Sequence, residues 1–123
     1  MDEKAFNRVY AESRNGCNEY YRHPLVRNFV YTDGVRDLAD TGCWWMVDVF
    51  ATEVPAVMRA NSEYNGWIIV RAKDGRATMC FEVQEDNPLW VKRIEHTDLP
   101  DGTYLFEIGR EDSSYVCCLI SEH

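Results

Sequence analysis

The spacing of the apolar residues changes near residue 65, from a repeat typical of helices to one typical of strands. Before that point apolar side chains recur every three or four residues, as in Cys43, Met46, Val47, Phe50, Val54, Val57 and Met58. After it apolar and polar residues alternate, as in Thr78, Met79, Cys80, Phe81, Glu82 and Val83. The 123 residues therefore predict one α+β domain, with a helical part at about 4–60 and a sheet part at about 65–121.

Three helical segments are expected in the N-terminal part. The first covers about 4–14 and ends before a glycine. The second begins at Thr32 or Asp33, because either side chain is a good N-cap. The third follows the apolar stripe from 43 to 58, and Pro55 is expected to kink or end it because proline lacks the backbone N–H.

Five strands joined by short turns are expected after residue 65, as an antiparallel meander with the helices on one face. They lie at 67–72, 77–83, 89–96, 104–108 and 115–120. The Asp74-Gly75 pair between the first two is a strong hairpin signal. Residues 17–31 show no clear period. Pro24 favours an extended backbone at His23, so the Tyr20-Tyr21-Arg22-His23 stretch is expected to be irregular or a short strand.

The charge is concentrated in the last third of the chain. There are 21 acidic and 13 basic residues, for a net charge of −8, and residues 82–123 hold 10 acids and 3 bases, for −7. Such a balance argues against direct binding to nucleic acid or to an anionic membrane. Either the acids keep the chain soluble, or they face a basic partner, with Glu82, Glu95 and Glu107 on strands and directed away from the helices.

The five cysteines are odd in number and have no Cys-x-x-Cys spacing. They predict unpaired, mostly buried thiols in a reducing cytoplasm, without a zinc site or another cofactor. No apolar run approaches the roughly 18 residues of a membrane span, and the charged N-terminus shows no secretory signal. The sequence therefore favours a cytoplasmic protein.

Several short motifs resemble an uncharacterised family of small proteins that is known only as a domain of unknown function. These motifs are Tyr20-Tyr21-Arg22-His23, Tyr31-Thr32-Asp33-Gly34-Val35 with Leu38-Ala39, Trp45 with Asp48, and Leu119-Ile120-Ser121-Glu122-His123. The resemblance covers roughly residues 18–123 and departs from the family at Pro55 and in the long N-terminal segment. It implies an origin in bacterial genomes, plasmids or phages, but no activity.

One group of residues offers the chemistry of a small enzyme: Tyr21, Arg22, His23, Asp33 and Asp48. No nucleophile motif or phosphate-binding loop accompanies the group. Asp48 lies in an apolar stretch, and a buried carboxylate needs a partner. We therefore favour a structural ion pair, and expect Arg22 or His23 to contact Asp33 or Asp48.

The tryptophans suggest an interface. Trp44 and Trp45 are neighbours on a predicted helix and point about 100° apart, so one of them is expected to be exposed as a binding anchor. Trp44, Trp67 and Trp90 are otherwise expected in or beside the core.

Two hypotheses about function follow. The favoured one is a non-enzymatic acidic module that binds a host protein with a basic surface, such as an inhibitor of a host defence or nucleic-acid-handling complex. A homodimer is compatible with this hypothesis. The alternative is a small enzyme that uses the pocket around residues 21–48.

Overall fold

A computed structural model describes residues 1–12 and 19–120. In these ranges the chain forms three helices, which are α1 (Glu3–Glu12), α2 (Asp33–Asp40) and α3 (Trp44–Ala60). It also forms seven strands, which are β1 (Tyr20–Arg22), β2 (Phe29–Thr32), β3 (Asn65–Lys73), β4 (Arg76–Gln84), β5 (Asn87–Ile94), β6 (Gly102–Glu111) and β7 (Ser114–Leu119). The expected α+β class is confirmed, while the predicted end of the first helix near residue 14 lies outside the described residues.

The strands form one open sheet in the order β1-β2-β7-β6-β3-β4-β5. All neighbours are antiparallel except β2 and β7, which run parallel. The prediction of a five-stranded antiparallel meander is therefore wrong in two respects. It left β1 and β2 out of the sheet, although a short strand at 20–23 was one of the two alternatives, and these strands have only three and four residues. It also missed that β6 pairs with β3, so the chain crosses the sheet after β5.

The three tight turns, between β3 and β4, β4 and β5, and β6 and β7, each place an aspartate in the left-handed region of the backbone. The φ angles are 54° at Asp74, 60° at Asp86 and 54° at Asp112. Aspartate tolerates this conformation better than most residues. The Asp74-Gly75 hairpin is confirmed. These three aspartates have a structural role in the turns that does not depend on their charge.

Two element ends differ from the sequence expectation. Helix α3 runs through Pro55 to Ala60, so the proline does not end it. Strand β5 ends at Ile94, so Glu95 lies beyond the strand in which it was expected. Helix α2 begins as predicted, with the Thr32 hydroxyl accepting a hydrogen bond from the backbone N–H of Val35 at 3.4 Å.

The helices cover one face of the sheet and form the core with it. Phe6 of α1, Leu38 of α2 and Phe50 of α3 are fully buried in one cluster with side chains of the sheet. The ring of Phe50 meets that of Phe106 edge-on, with 5.1 Å between centroids. The predicted packing of helices on one face is confirmed. Across the described ranges, no helix is long and apolar enough to cross a membrane.

Candidate functional site

The face of the sheet opposite the helices, termed the open face, carries three rows of side chains. Strand pairing defines the rows, because cross-strand partners share a face. The acidic row contains Glu82, Trp67 and Glu107. The apolar row contains Val91, Cys80, Ile69 and Leu105, and the basic row contains Arg93, Thr78, Arg71 and Thr103.

Trp67 is the aromatic residue at the centre of the acidic row. It is 41% exposed, whereas its neighbour Ile68 is fully buried under the helices. The expectation that Trp67 lies in or beside the core is therefore wrong. Residues 67–70 are all apolar, so the sequence did not reveal which alternate positions face the helices. A large apolar side chain exposed between two carboxylate-bearing residues is a candidate binding anchor.

The acidic residues do not form the exposed set that the sequence predicted. Glu82 lies on the open face but is only 8% exposed, and Glu107 is half-buried. Glu95 is exposed but lies beyond the end of β5. Only Glu82 and Glu107 are therefore brought together, on either side of Trp67.

A groove of about 660 Å³ lies beside the acidic row. Three exposed aromatic residues line it, namely Tyr20, Tyr64 and Trp67, together with the acids Glu107 and Glu111. Gly109 lines it as well, and a Cβ added there would meet only ordinary contacts at 3.9 Å. Arg110 also lines the groove, so its charged residues are two acids and one base, beside the aromatic side chains and the space above Gly109.

A second groove, of about 700 Å³, lies at the other end of β3 and β4. Its lining includes three basic residues, Arg71, Lys73 and Arg76, the hydroxyl-bearing Thr78 and Thr103, and one acid, Asp101. Sequence reasoning missed this basic cluster because it summed charge along the chain. The signal was present in the alternate positions Arg71 and Lys73 and in Arg76 across the turn.

The prediction that Arg22 or His23 contacts Asp33 or Asp48 is met by the pair His23 and Asp48. The Nε2 atom of His23 lies 2.8 Å from Oδ1 of Asp48. The Nδ1 atom accepts hydrogen bonds from the backbone N–H groups of Leu25 and Val26, at 3.1 and 3.0 Å. Because an acceptor nitrogen carries no proton, Nε2–H is the donor to Asp48. His23 is 3% exposed and holds the segment before β2 against α3.

The other members of the proposed enzyme group have separate partners. Arg22 donates to the backbone oxygen of Arg27 at 2.8 Å, and Asp33 accepts from the N–H of Gly34 at 3.2 Å. Tyr21 donates to Glu19 and accepts from Arg36, a residue that sequence reasoning did not select. The hydrogen bond to Glu19, followed by partial burial, raises the pKa of Tyr21. These residues line neither groove of the open face as a group.

Neither Trp44 nor Trp45 is the exposed anchor expected of the pair. Both are half-buried against the core. Trp44 packs edge-on against Tyr31 at 5.6 Å and donates its Nε1–H to Asp40 at 2.9 Å. Trp45 lies beside Ile94 at the edge of the sheet. Two sides of α3 are covered because the helix lies between α2 and β5.

The cysteines that the structure describes are thiols: Cys43, Cys80 and Cys117 are buried and Cys118 is half-buried. Burial raises the pKa of Cys43 to about 12. Cys17 lies outside the described residues. Within residues 1–12 and 19–120, no three His, Cys, Asp or Glu side chains gather closely enough to hold a metal ion.

The model of a family of unknown function, DUF6876, matches residues 11–123. No curated protein and no solved structure matches the chain.

Proposed function

The chain belongs to this family of unknown function, so we propose its role from its own surface: a non-enzymatic module whose open face receives a basic segment of another protein. The observation that carries the proposal is the exposed Trp67 between Glu82 and Glu107, at the side of the aromatic and acidic groove. Exposed aromatics in a concave site are typical of residues that carry most of the binding energy.

The chemistry of the groove favours an arginine-bearing segment. A guanidinium stacks on the indole face of tryptophan while its N–H groups donate to neighbouring carboxylates. Trp67 supplies the face, and Glu107 and Glu111 supply acceptors on the adjacent strand β6. The net charge of −8 adds long-range attraction for a basic partner.

Such a module would act as an inhibitor of a host defence complex or of a nucleic-acid-handling complex. Proteins that bind nucleic acid present lysine and arginine surfaces to phosphates. An acidic face that occupies such a surface would exclude the nucleic acid. This part of the proposal depends on charge and on the bacterial, plasmid or phage origin that the sequence resemblance implies.

The alternative enzyme at residues 21–48 receives less support. A general base needs an available lone pair, and both ring nitrogens of His23 are committed, Nδ1 to two backbone N–H groups and Nε2 to Asp48. The geometry favours a structural role for the group.

Titration of the protein with a fluorescent arginine-rich peptide tests the proposal. We expect binding that weakens between about 50 and 300 mM salt, because the charges are screened. Trp67→Ala should weaken binding about tenfold, which is about 1.4 kcal/mol. Gly109→Val should weaken it by filling the space above the groove. Glu3→Gln is the control, since it removes an exposed acid on α1.

A glutamate-rich peptide of the same length should not bind. The proposal is wrong if the arginine-rich peptide fails to bind, or if Trp67→Ala and Gly109→Val bind it as tightly as the parent chain.

A further inference from the structure

The open face carries both the acidic row and a basic counterpart to it. On β3, Trp67, Ile69 and Arg71 are successive residues of this face, and each belongs to a different row. Arg71 and Arg93 are exposed, and Lys73 and Arg76 lie beside them at the hairpin end. The chain is acidic overall, but this end of the open face has three basic residues, Arg71, Lys73 and Arg76, and one acid, Asp101, around the second groove.

The apolar row lies between the two charged rows at equal distances. Successive residues on one face of a strand are about 6.8 Å apart, so Trp67 and Arg71 lie on opposite sides of Ile69. Ile69 is 8% exposed and does not belong to the core cluster under the helices, while Val91 in the same row is 53% exposed. Ile69 and Cys80 are therefore already covered within the chain, Cys80 by Nη1 of Arg71 at 3.7 Å, and Val91 is the exposed apolar residue of this row.

A two-fold axis along the apolar row would place each charged row against its opposite. Rotation about this axis reverses the strand direction of the second copy and keeps the strand order, so β3 lies over β3. Trp67 of one copy then meets Arg71 of the other, Glu107 meets Thr103 beside that Arg71, and the exposed Val91 meets its own equivalent. An interface of this kind is self-complementary, as two-fold dimers require.

We propose that a second copy of this chain is the resting occupant of the open face, packed sheet to sheet by this two-fold axis. The inference rests on the proposed function, because both use the same surface. The basic segment of another protein would compete with the second copy for Trp67 and Glu107. The second copy supplies the basic surface that the acidic row favours.

The size of the surface suits a dimer. The five longer strands, at ~4.8 Å spacing and up to ~3.4 Å per residue, give a face of about 24 by 30 Å, or about 700 Å². Standard interfaces bury roughly 800 Å² on each partner. Two sheets that pack face to face keep their strands within about 30° of each other, which the reversed orientation permits.

A charge-swap experiment tests the dimer by light scattering after size-exclusion chromatography. The parent chain should be a dimer at about 100 µM and dissociate as salt rises. Arg71→Glu and Glu107→Arg should each be monomeric, because like charges then face each other. An equimolar mixture of the two variants should form a heterodimer, in which the carboxylate introduced in one chain faces the guanidinium introduced in the other. Arg8→Glu is the control, with the same charge change at an exposed position of α1, and should stay dimeric.

The outcomes separate this inference from the proposed function. A parent chain that is monomeric at about 100 µM, or variants that fail to associate when mixed, overturn the dimer. Peptide binding by such a monomer would leave the proposed function standing. A dimer that obeys the charge swap, in a chain that binds no arginine-rich peptide, would overturn the proposed function alone. Circular dichroism shows that each variant is folded before either comparison.

Discussion

On β3, Ile68 and Val70 are fully buried beneath the helices, whereas Trp67 and Arg71 of the same strand are exposed on the opposite face. The helix-covered face is apolar along its whole length, with Phe81 and Phe106 beside these residues. The open face instead changes from acidic to apolar to basic along the strands. The helix-covered face therefore stabilises the domain. The charged residues of the open face are not needed for that stability.

The largest expected effect is the loss of folding stability when an aromatic side chain of the helix-covered face, rather than of the open face, is truncated to alanine. Phe106→Ala should lower the free energy of unfolding by about 3–5 kcal/mol, because it leaves a cavity against Phe50. Trp67→Ala should cost less than about 1.5 kcal/mol, since the indole is already partly hydrated. Urea denaturation measures both. Equal losses would show that the open face is also part of the core.

The next effect concerns the segment that precedes β2. His23→Ala should cost about 1–3 kcal/mol, because the N–H groups of Leu25 and Val26 lose their acceptor. His23→Asn is the matched variant, since its side-chain oxygen lies near the position of Nδ1 and can accept from the same groups. We expect it to recover most of the loss in urea denaturation. If Asn is as damaging as Ala, the hydrogen bond to Asp48 matters more than the two backbone bonds.

A smaller effect, with a pH dependence, belongs to the helix-covered face. Burial raises the pKa of Tyr104 to about 12 from its ordinary value of 10, and its hydroxyl donates to the backbone oxygen of Pro100 at 2.5 Å. The unfolded chain loses this proton first, so the stabilisation is complete below pH 10 and is lost between pH 10 and about 12.

The test of this pH dependence is Tyr104→Phe. The variant should cost about 1 kcal/mol at pH 7, through the lost hydrogen bond. It should also lose stability less steeply than the parent chain above pH 10 in urea titrations. Identical slopes for the two proteins would contradict the assignment.

The smallest expected effect on stability is that of modifying a cysteine thiol on the open face, next to a cysteine on the helix-covered face. Cys117 is fully buried in the core, while Cys118 is half-buried on the open face beside the groove. In a Cys17→Ser background, iodoacetamide should modify Cys118 first and leave Cys43 and Cys117 protected until urea unfolds the chain. Mass spectrometry of the peptides identifies the site, and stability should change by less than about 0.5 kcal/mol. Early modification of Cys117 would contradict the assignment of the two faces.

The sequence was most informative where the apolar period is long. It predicted α2 with its Thr32 cap, the stripe that became α3, and the hairpin at Asp74-Gly75. It allowed a short strand at 20–23 but did not place β1 or β2 in the sheet, because three or four residues do not establish a period and the parallel pairing of β2 with β7 depends on tertiary packing. A local pattern cannot show which distant strand will be a neighbour.

The candidate site was predicted less well for a similar reason. The contact of His23 with Asp48 was predicted and is present at 2.8 Å. The reason given for it was wrong, because Asp48 is 61% exposed and His23 is the buried partner. The exposure of Trp67 and the grouping of Arg71 with Arg93 depend on strand order and register, which the sequence does not show. Charge summed along the chain therefore concealed charge separated across a face.

The parallel pairing of β2 with β7 has a consequence for the order of folding. Tyr31 lies next to Cys117 across this pair, so β1 and β2 join the sheet only after β7 has been synthesised. The helices and the β3-β4-β5 hairpins have earlier partners, and contacts between distant parts of a chain form slowly. Until β7 arrives, Phe29 and Tyr31 have no strand to complete their side of the sheet. The nascent chain therefore keeps an apolar segment unprotected, and a chaperone that binds such segments would act during this interval.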